Sequence, residues 1–238
     1  MSTATLRRVE RVRHELKRRD LTVTAVETLT PHFRRITFTD DSLGDFVSAA
    51  FDDHIKIFID DARRDYTPRS FDNAARELVI EFALHGEGPA AEWAARAQAG
   101  DTLDIGGPKG SLIVPLDYDW HLLVGDETAF PAVARRLEEL PAGAKAIVIL
   151  QSADSADRRE FKTAANVALS WVATDAELLA AVRALTLPAG DGYAWCAGEA
   201  ACMAALRREL VDVKGHPGEA IRAAAYWKRG ARGHHENL

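Results

Sequence analysis

The hydrophobic pattern of this chain changes period once, between residues 115 and 119, and that change constrains the fold more than any other feature. Before it lie short strand-like runs at residues 21–27, 33–38, 54–59, 78–84 and 102–105, each bounded by Pro, Asp, Asn or Gly. Val23, Phe33 and Ile36 alternate there with Thr22, Thr24, Arg34 and Thr37, the two-residue period of a half-buried strand. Repeated short strands separated by turn formers predict an antiparallel barrel. A helix is expected at residues 88–98, with Pro89 near its start and Gly100 just past its end. After the change, strand-like runs at residues 121–124, 146–151, 168–172 and 193–197 alternate with helical stretches at 128–140, 175–185 and 199–213. Such alternation implies parallel strands joined by helical crossovers. The expected fold class is therefore β + α/β. An N-terminal antiparallel Greek-key β-barrel spans residues 20–117, and a C-terminal parallel-sheet, nucleotide-binding-like domain spans 118–238.

Residues 1–19 hold seven basic side chains, with Leu6, Val9 and Leu16 at roughly helical spacing. The segment reads either as a short amphipathic helix that docks an anionic partner or as a solvated basic extension. The whole 238-residue chain carries a formal charge of −6, which argues against a dedicated nucleic-acid binder, since that function needs a basic face. Neither a membrane-spanning run nor a secretory leader is evident, so no membrane insertion and a cytoplasmic location are expected. Cys196 and Cys202, the two cysteines, have no CxxC spacing and read as reduced structural thiols. His234 and His235 lack a third ligand, so no metal site is expected.

Two segments carry chemistry. Arg64-Asp65-Tyr66-Thr67 follows a strand, and in an extended segment Arg64 and Tyr66 share one face. A guanidinium suits a diphosphate, a phenol ring packs on a planar heterocycle, and a Thr hydroxyl or amide can bond to it. The same four residues also suit an ordinary surface loop. The second segment runs from His85 through Gly88 to Ala90 and Ala91, joining a strand end to a helix start through two glycines. Free amides and the helix dipole there make an anion site, or else the turn is simply tight and capped by His85. Together the two segments favour FAD.

Those segments, RDYTPRSFD and LHGEGPAAEWAARAQAGDTLDIGGPKGS, together with HLLVGDETAFPAVARRLEELP and WCAGEAACMAALRREL…AYWKRG, resemble the siderophore-interacting protein family in the same order. The resemblance covers residues 20–230. It implies an FAD-containing ferric-siderophore reductase related to ferredoxin–NADP reductases. FAD would then be held by Arg64, Tyr66 and Thr67, with its pyrophosphate near His85, Gly88, Ala90 and Ala91. By the same resemblance Thr128 and Ala129 approach the flavin, and Trp227 is the terminal aromatic that covers it. The first strand–helix turn, Gly125-Asp126-Glu127-Thr128, departs from the glycine-rich dinucleotide fingerprint, and its two carboxylates repel a pyrophosphate while making good helix caps. The family's basic residue after the strand holding Trp171 is replaced by Val172-Ala173-Thr174. Arg158 and Arg159 remain as candidates for the 2′-phosphate of NADPH.

Bulky anionic ferric chelates need local positive charge on an acidic protein. Lys56, Lys109, Arg222, Lys228 and Arg229 are the candidate substrate rim, with Arg232 in the same late cluster. The expected reaction passes electrons from NAD(P)H through FAD to a ferric siderophore, releasing Fe(II), with no catalytic residue of classical type. Reduced ferredoxin as donor, or a non-enzymatic flavin-binding redox module, are the alternatives. Oligomeric state is not fixed by any of these residues.

Overall fold

The protein, a computed structural model, is described at residues 8–84, 88–231 and 236–237. Leu6, His85, Arg232, His234 and His235, singled out in the sequence, lie outside these residues.

The first half contains β1 (Glu10–Arg13), β2 (Arg18–Thr30), β3 (Phe33–Thr39), β4 (Ile55–Ile59), β5 (Ala62–Tyr66), β6 (Pro68–Asp72), β7 (Glu77–Ala83), α1 (Pro89–Arg96), β8 (Thr102–Gly106) and β9 (Gly110–Ile113). Seven of these strands form one antiparallel sheet in the order β5-β4-β8-β2-β3-β7-β6. Its two edge strands, β5 and β6, are separated in sequence only by Thr67, so the sheet curls until its edges meet at that residue. Pro68 opens β6 at the seam, where a missing N–H costs no ladder bond. The alternation read from the sequence builds the interior. Leu21, Ile36, Phe38, Ile55, Ile57, Leu78, Ile80, Phe82 and Ile105 are each fully buried in one cluster.

Residues 10–13 are a strand rather than a turn of helix. They pair antiparallel with β9, from Glu10 opposite Ile113 to Arg13 opposite Gly110. A Cβ on Gly110 would lie 2.5 Å from the Val12 carbonyl oxygen, so only glycine admits the ribbon. Several of the basic residues nearby are tied to the chain itself. Arg8 pairs with Asp117 and Asp191 and lies over the Tyr118 ring, Lys17 pairs with Asp45, and buried Arg19 bonds Asp45 and the Ser42 carbonyl. The strands β5, β6 and β9 carry too little apolar alternation to have been anticipated.

The second half contains β10 (Trp120–Gly125), α2 (Phe130–Glu139), β11 (Lys145–Gln151), β12 (Asn166–Val172), α3 (Asp175–Ala184), β13 (Gly192–Glu199), α4 (Ala200–Arg208), β14 (Ile221–Trp227) and β15 (Glu236–Asn237). The sheet order is β12-β11-β10-β13-β14-β15, with the first five strands parallel and β15 antiparallel on the edge. No helix among the described residues is long and apolar enough to cross a membrane.

The two sheets are packed together rather than merely tethered. Phe33 of β3 stacks on Phe130 of α2 at 5.4 Å, and Phe51 meets Trp195 of β13 edge-on at 5.4 Å. Around this apolar contact sits a buried carboxylate, Glu81 of β7, held by Arg35 at 2.8 Å, Arg159 at 2.6 Å and Arg69 at 3.4 Å. Burial alone would raise its pKa, but the three guanidiniums outweigh that and hold it below the usual carboxylate range. Buried Asp157 likewise receives the Thr30 hydroxyl at 2.7 Å and contacts the His32 ring at 2.8 Å, joining the β2–β3 turn to the loop after β11.

Candidate functional site

The register between β4 and β5 settles which way the Arg-Asp-Tyr-Thr segment faces. Arg64 lies opposite Ile57 and Tyr66 opposite Ile55, both fully buried, whereas Asp65 lies opposite Lys56. Cross-strand partners share a face, so Arg64 and Tyr66 are together on one side and Lys56 and Asp65 on the other. The Tyr66 ring packs against Phe82 at 4.6 Å, and Phe82 in turn meets Trp93 of α1 at 5.8 Å. This chain of rings connects the β5 seam to α1. Thr67 is buried at the seam and hydrogen-bonds the Tyr226 side chain of β14, so its hydroxyl links barrel to parallel sheet.

Two features in this region are electron-poor and have no side-chain acceptor among the described residues. The half-buried Arg64 bonds the Arg63 carbonyl at 2.8 Å. No ion pair to Arg64 is found among the described residues. The helix α1 has Gly88 as its N-cap and Pro89 in its first turn, and no side chain among the described residues caps it. The opening amides of a helix have no intrahelical acceptor, so those of Ala90 and Ala91 are available to an anion. A guanidinium, an uncapped helix mouth and an aromatic wall are the donor set that an FAD diphosphate and ring system require. The residues present fit the group.

The C-terminal edge of the parallel sheet is arranged oppositely. Asp126, 4% exposed, accepts from the Thr128 amide at 2.9 Å, the Thr128 hydroxyl at 2.5 Å, the Glu199 amide at 3.0 Å and the Trp227 indole at 2.7 Å. It thereby ties together the ends of β10, β13 and β14. Room for it exists because Gly198, at φ +153°, has no Cβ, which would lie 2.5 Å from the carboxylate. Burial pushes the Asp126 pKa up to about 6, although the bonds from Thr128 and Trp227 pull the other way. Trp227 is half-buried, with the Arg229 guanidinium 5.8 Å from its ring.

Other expected residues fall in different environments. Ala129 is fully buried in the core, and a Cβ on Gly125 would lie 2.4 Å from its methyl, so it has no surface for a ligand. Thr128 is exposed, but its hydroxyl and amide both serve Asp126. Lys56 pairs with Asp65 at 2.7 Å while staying half exposed. Arg222 turns inward onto Asp52 at 2.7 Å, which also accepts the Trp195 indole, and so is neutralised rather than presented. The His54 pKa is lowered by burial and by the nearby charges of Arg222 and Lys56, against the opposing pull of Asp65. Lys109 is exposed beside this group, on the turn whose Gly107 approaches the His54 carbonyl. Lys228 and Arg229 are exposed at the sheet edge, Arg229 pairing with Asp175 at 3.1 Å. Arg159, a 2′-phosphate candidate, is committed to Glu81, and its guanidinium lies over Phe33, Phe130 and Phe161; Arg158 is exposed.

Comparison with known proteins gives the chain its relatives. Residues 118–230 match the siderophore-interacting protein model, and residues 22–64 and 60–112 match the siderophore-interacting FAD-binding domain. An Escherichia coli protein named NADPH-dependent ferric-chelate reductase is 35% identical over 92% of this chain and 96% of its own length. The ferric vibriobactin reductase of Vibrio cholerae is 36% identical over 70% of this chain and 65% of that protein. A siderophore utilization protein from T. fusca superimposes with a TM-score of 0.87 at 32% identity, covering 97% of this chain and 98% of that one.

Proposed function

The chain belongs to the siderophore-interacting protein family, and from that premise we propose that it is an FAD-dependent ferric-siderophore reductase, taking electrons from NAD(P)H and releasing iron as Fe(II). The observation that carries this reading is the pairing of Arg64 and Tyr66 on one face with the uncapped mouth of α1, connected through Phe82 and Trp93.

Bound FAD supplies the conversion of a two-electron hydride donor into single electrons for Fe(III). The chain's own residues bind and orient. Arg64 and the amides of Ala90 and Ala91 would hold the diphosphate, with Gly88 at the same turn. Tyr66 walls one side of the ring system. Thr67, through Tyr226, fixes the barrel seam against β14, which ends in Trp227, and the bond that the indole donates to Asp126 sets the ring plane. No side chain has to give or take a proton from iron or its ligands, because oxygen-rich chelators hold Fe(III) far better than Fe(II) and one electron loosens the metal.

On a chain of net charge −6, substrate attraction falls to a local basic rim. Lys56, opposite Asp65 of β5, and Lys109, between β8 and β9, present ammonium groups, and Lys228 and Arg229 present their charges at the sheet edge. The free buried thiols of Cys196 and Cys202 suit a cytoplasmic setting. The test is an anaerobic half-cycle. NADPH should bleach the flavin of the purified protein, and a ferric catecholate should restore its colour with stoichiometric Fe(II) trapped by a ferrous chelator. Reduced ferredoxin is the parallel arm. Flavin that is bleached but never reoxidised by any ferric chelate would leave a redox module rather than a reductase.

A further inference from the structure

At the C-terminal edge of the parallel sheet, turn amides that could bind an anion are taken by the chain's own side chains. In a dinucleotide-binding sheet the pyrophosphate rests on free amides at the strand-to-helix turns. Here the turns after β10, β11, β12 and β13 are each closed by the chain's own side chains. After β10, Asp126 takes the Thr128 amide at 2.9 Å. After β11, Glu127 takes the Ala153 amide at 2.7 Å and Asp154 the Ala156 amide at 2.9 Å. After β12, Thr174 takes the Glu177 amide at 3.2 Å and Glu177 takes the Ala173 amide at 2.7 Å, a box like the capping box but reaching the residue before the cap. After β13, Glu199 takes the amides of Ala201 and Cys202 at 2.7 and 3.1 Å.

Among the described cations at this edge, Arg229 is engaged by Asp175 and Arg159 by Glu81, which leaves exposed Arg158 and Lys228 to meet a phosphate without the turn amides that would fix it. A pyrophosphate brought to the edge would meet carboxylates where it needs donors, and a 2′-phosphate would meet the Thr174–Glu177 box.

Resting on the reductase reading above, we infer that this protein recognises its nicotinamide donor only at the dihydronicotinamide end and leaves the adenylate half, with any 2′-phosphate, unbound in solvent. When the remote half of a substrate contributes binding, truncation lowers the rate as well as the affinity. Where it contributes none, truncation is tolerated. NADPH, NADH and the half-molecule NMNH should therefore reduce the bound flavin with second-order constants within about tenfold of one another. A readout free of turnover is direct binding. Titration of 2′-phospho-ADP-ribose into the holoprotein, followed by calorimetry, should give no saturable heat at millimolar ligand.

A loss of more than about tenfold for NMNH, or saturable binding of 2′-phospho-ADP-ribose, overturns the inference while leaving the reductase reading intact. Flavin that none of the three donors reduces overturns the NAD(P)H donor itself, and this inference with it.

Discussion

Replacing Arg64 with alanine removes a guanidinium whose hydrogen bond, at 2.8 Å, goes to the neighbouring Arg63 carbonyl. No ion pair of the described fold is lost, so the change in stability should stay within about 0.5 kcal/mol. If the guanidinium grips a diphosphate, the loss is a charge-assisted bond of about 1.5–3 kcal/mol. Arg64 is half-buried, which favours the lower end of that range, and about 1.5 kcal/mol is roughly tenfold in the FAD dissociation constant. The matched control is Arg63→Ala. Arg63 is the adjacent residue on the opposite face of β5, with its guanidinium 5.9 Å from the Phe58 ring. It should leave FAD affinity unchanged. Apoprotein would be titrated with FAD by fluorescence quenching, with urea unfolding run alongside. Equal affinities for wild type and Arg64→Ala, or equal losses for both variants, would refute the placement of the diphosphate.

Further outcomes follow from the interface and the sheet edge. Glu81→Gln leaves three guanidiniums around an uncharged amide and should cost about 3 kcal/mol in urea unfolding, the scale for removing one partner of a buried ionic group. Because the folded Glu81 pKa is lowered, its contribution is present above the unfolded carboxylate pKa and fades as the pH falls through the folded value, so the gap between wild type and variant should narrow in acid. Asp126 has the opposite sign. Its pKa rises from 3.8 to about 6, so wild type should lose stability relative to Asp126→Asn as the pH rises across that interval, and a flat difference would contradict its burial. Lys56→Ala should slow reoxidation by anionic ferric chelates and weaken its salt dependence, while flavin reduction by NADPH, read in a stopped-flow trace, stays at the wild-type rate.

Much of the fold was legible because it is local. The two-residue alternation of Ile36 and Phe38 and the turn to helical crossovers after Trp120 needed no distant partner to be read. The shared face of Arg64 and Tyr66 was legible for the same reason, since extended geometry alone dictates it. What sequence could not supply was pairing across long separations. Residues 10–13 carry no strand signal, and become a strand because Gly110–Ile113 offers them an edge. Arg159 looks like a phosphate ligand until Glu81, 78 residues away, is seen to hold it. Asp126 was readable as a cap, but its bond to Trp227 spans 101 positions. Asp154, Thr174 and Glu199 are ordinary caps one at a time, and only the parallel sheet brings them to one edge.

The grip of Arg64 and the α1 mouth on a single flavin is tested most directly by cofactor content. Protein reconstituted with FAD, freed of excess and then heat-denatured should release one FAD per chain, and the same treatment with FMN, which lacks the diphosphate, should leave no bound flavin. Retention of FMN as firmly as FAD, or release of neither, would contradict the account.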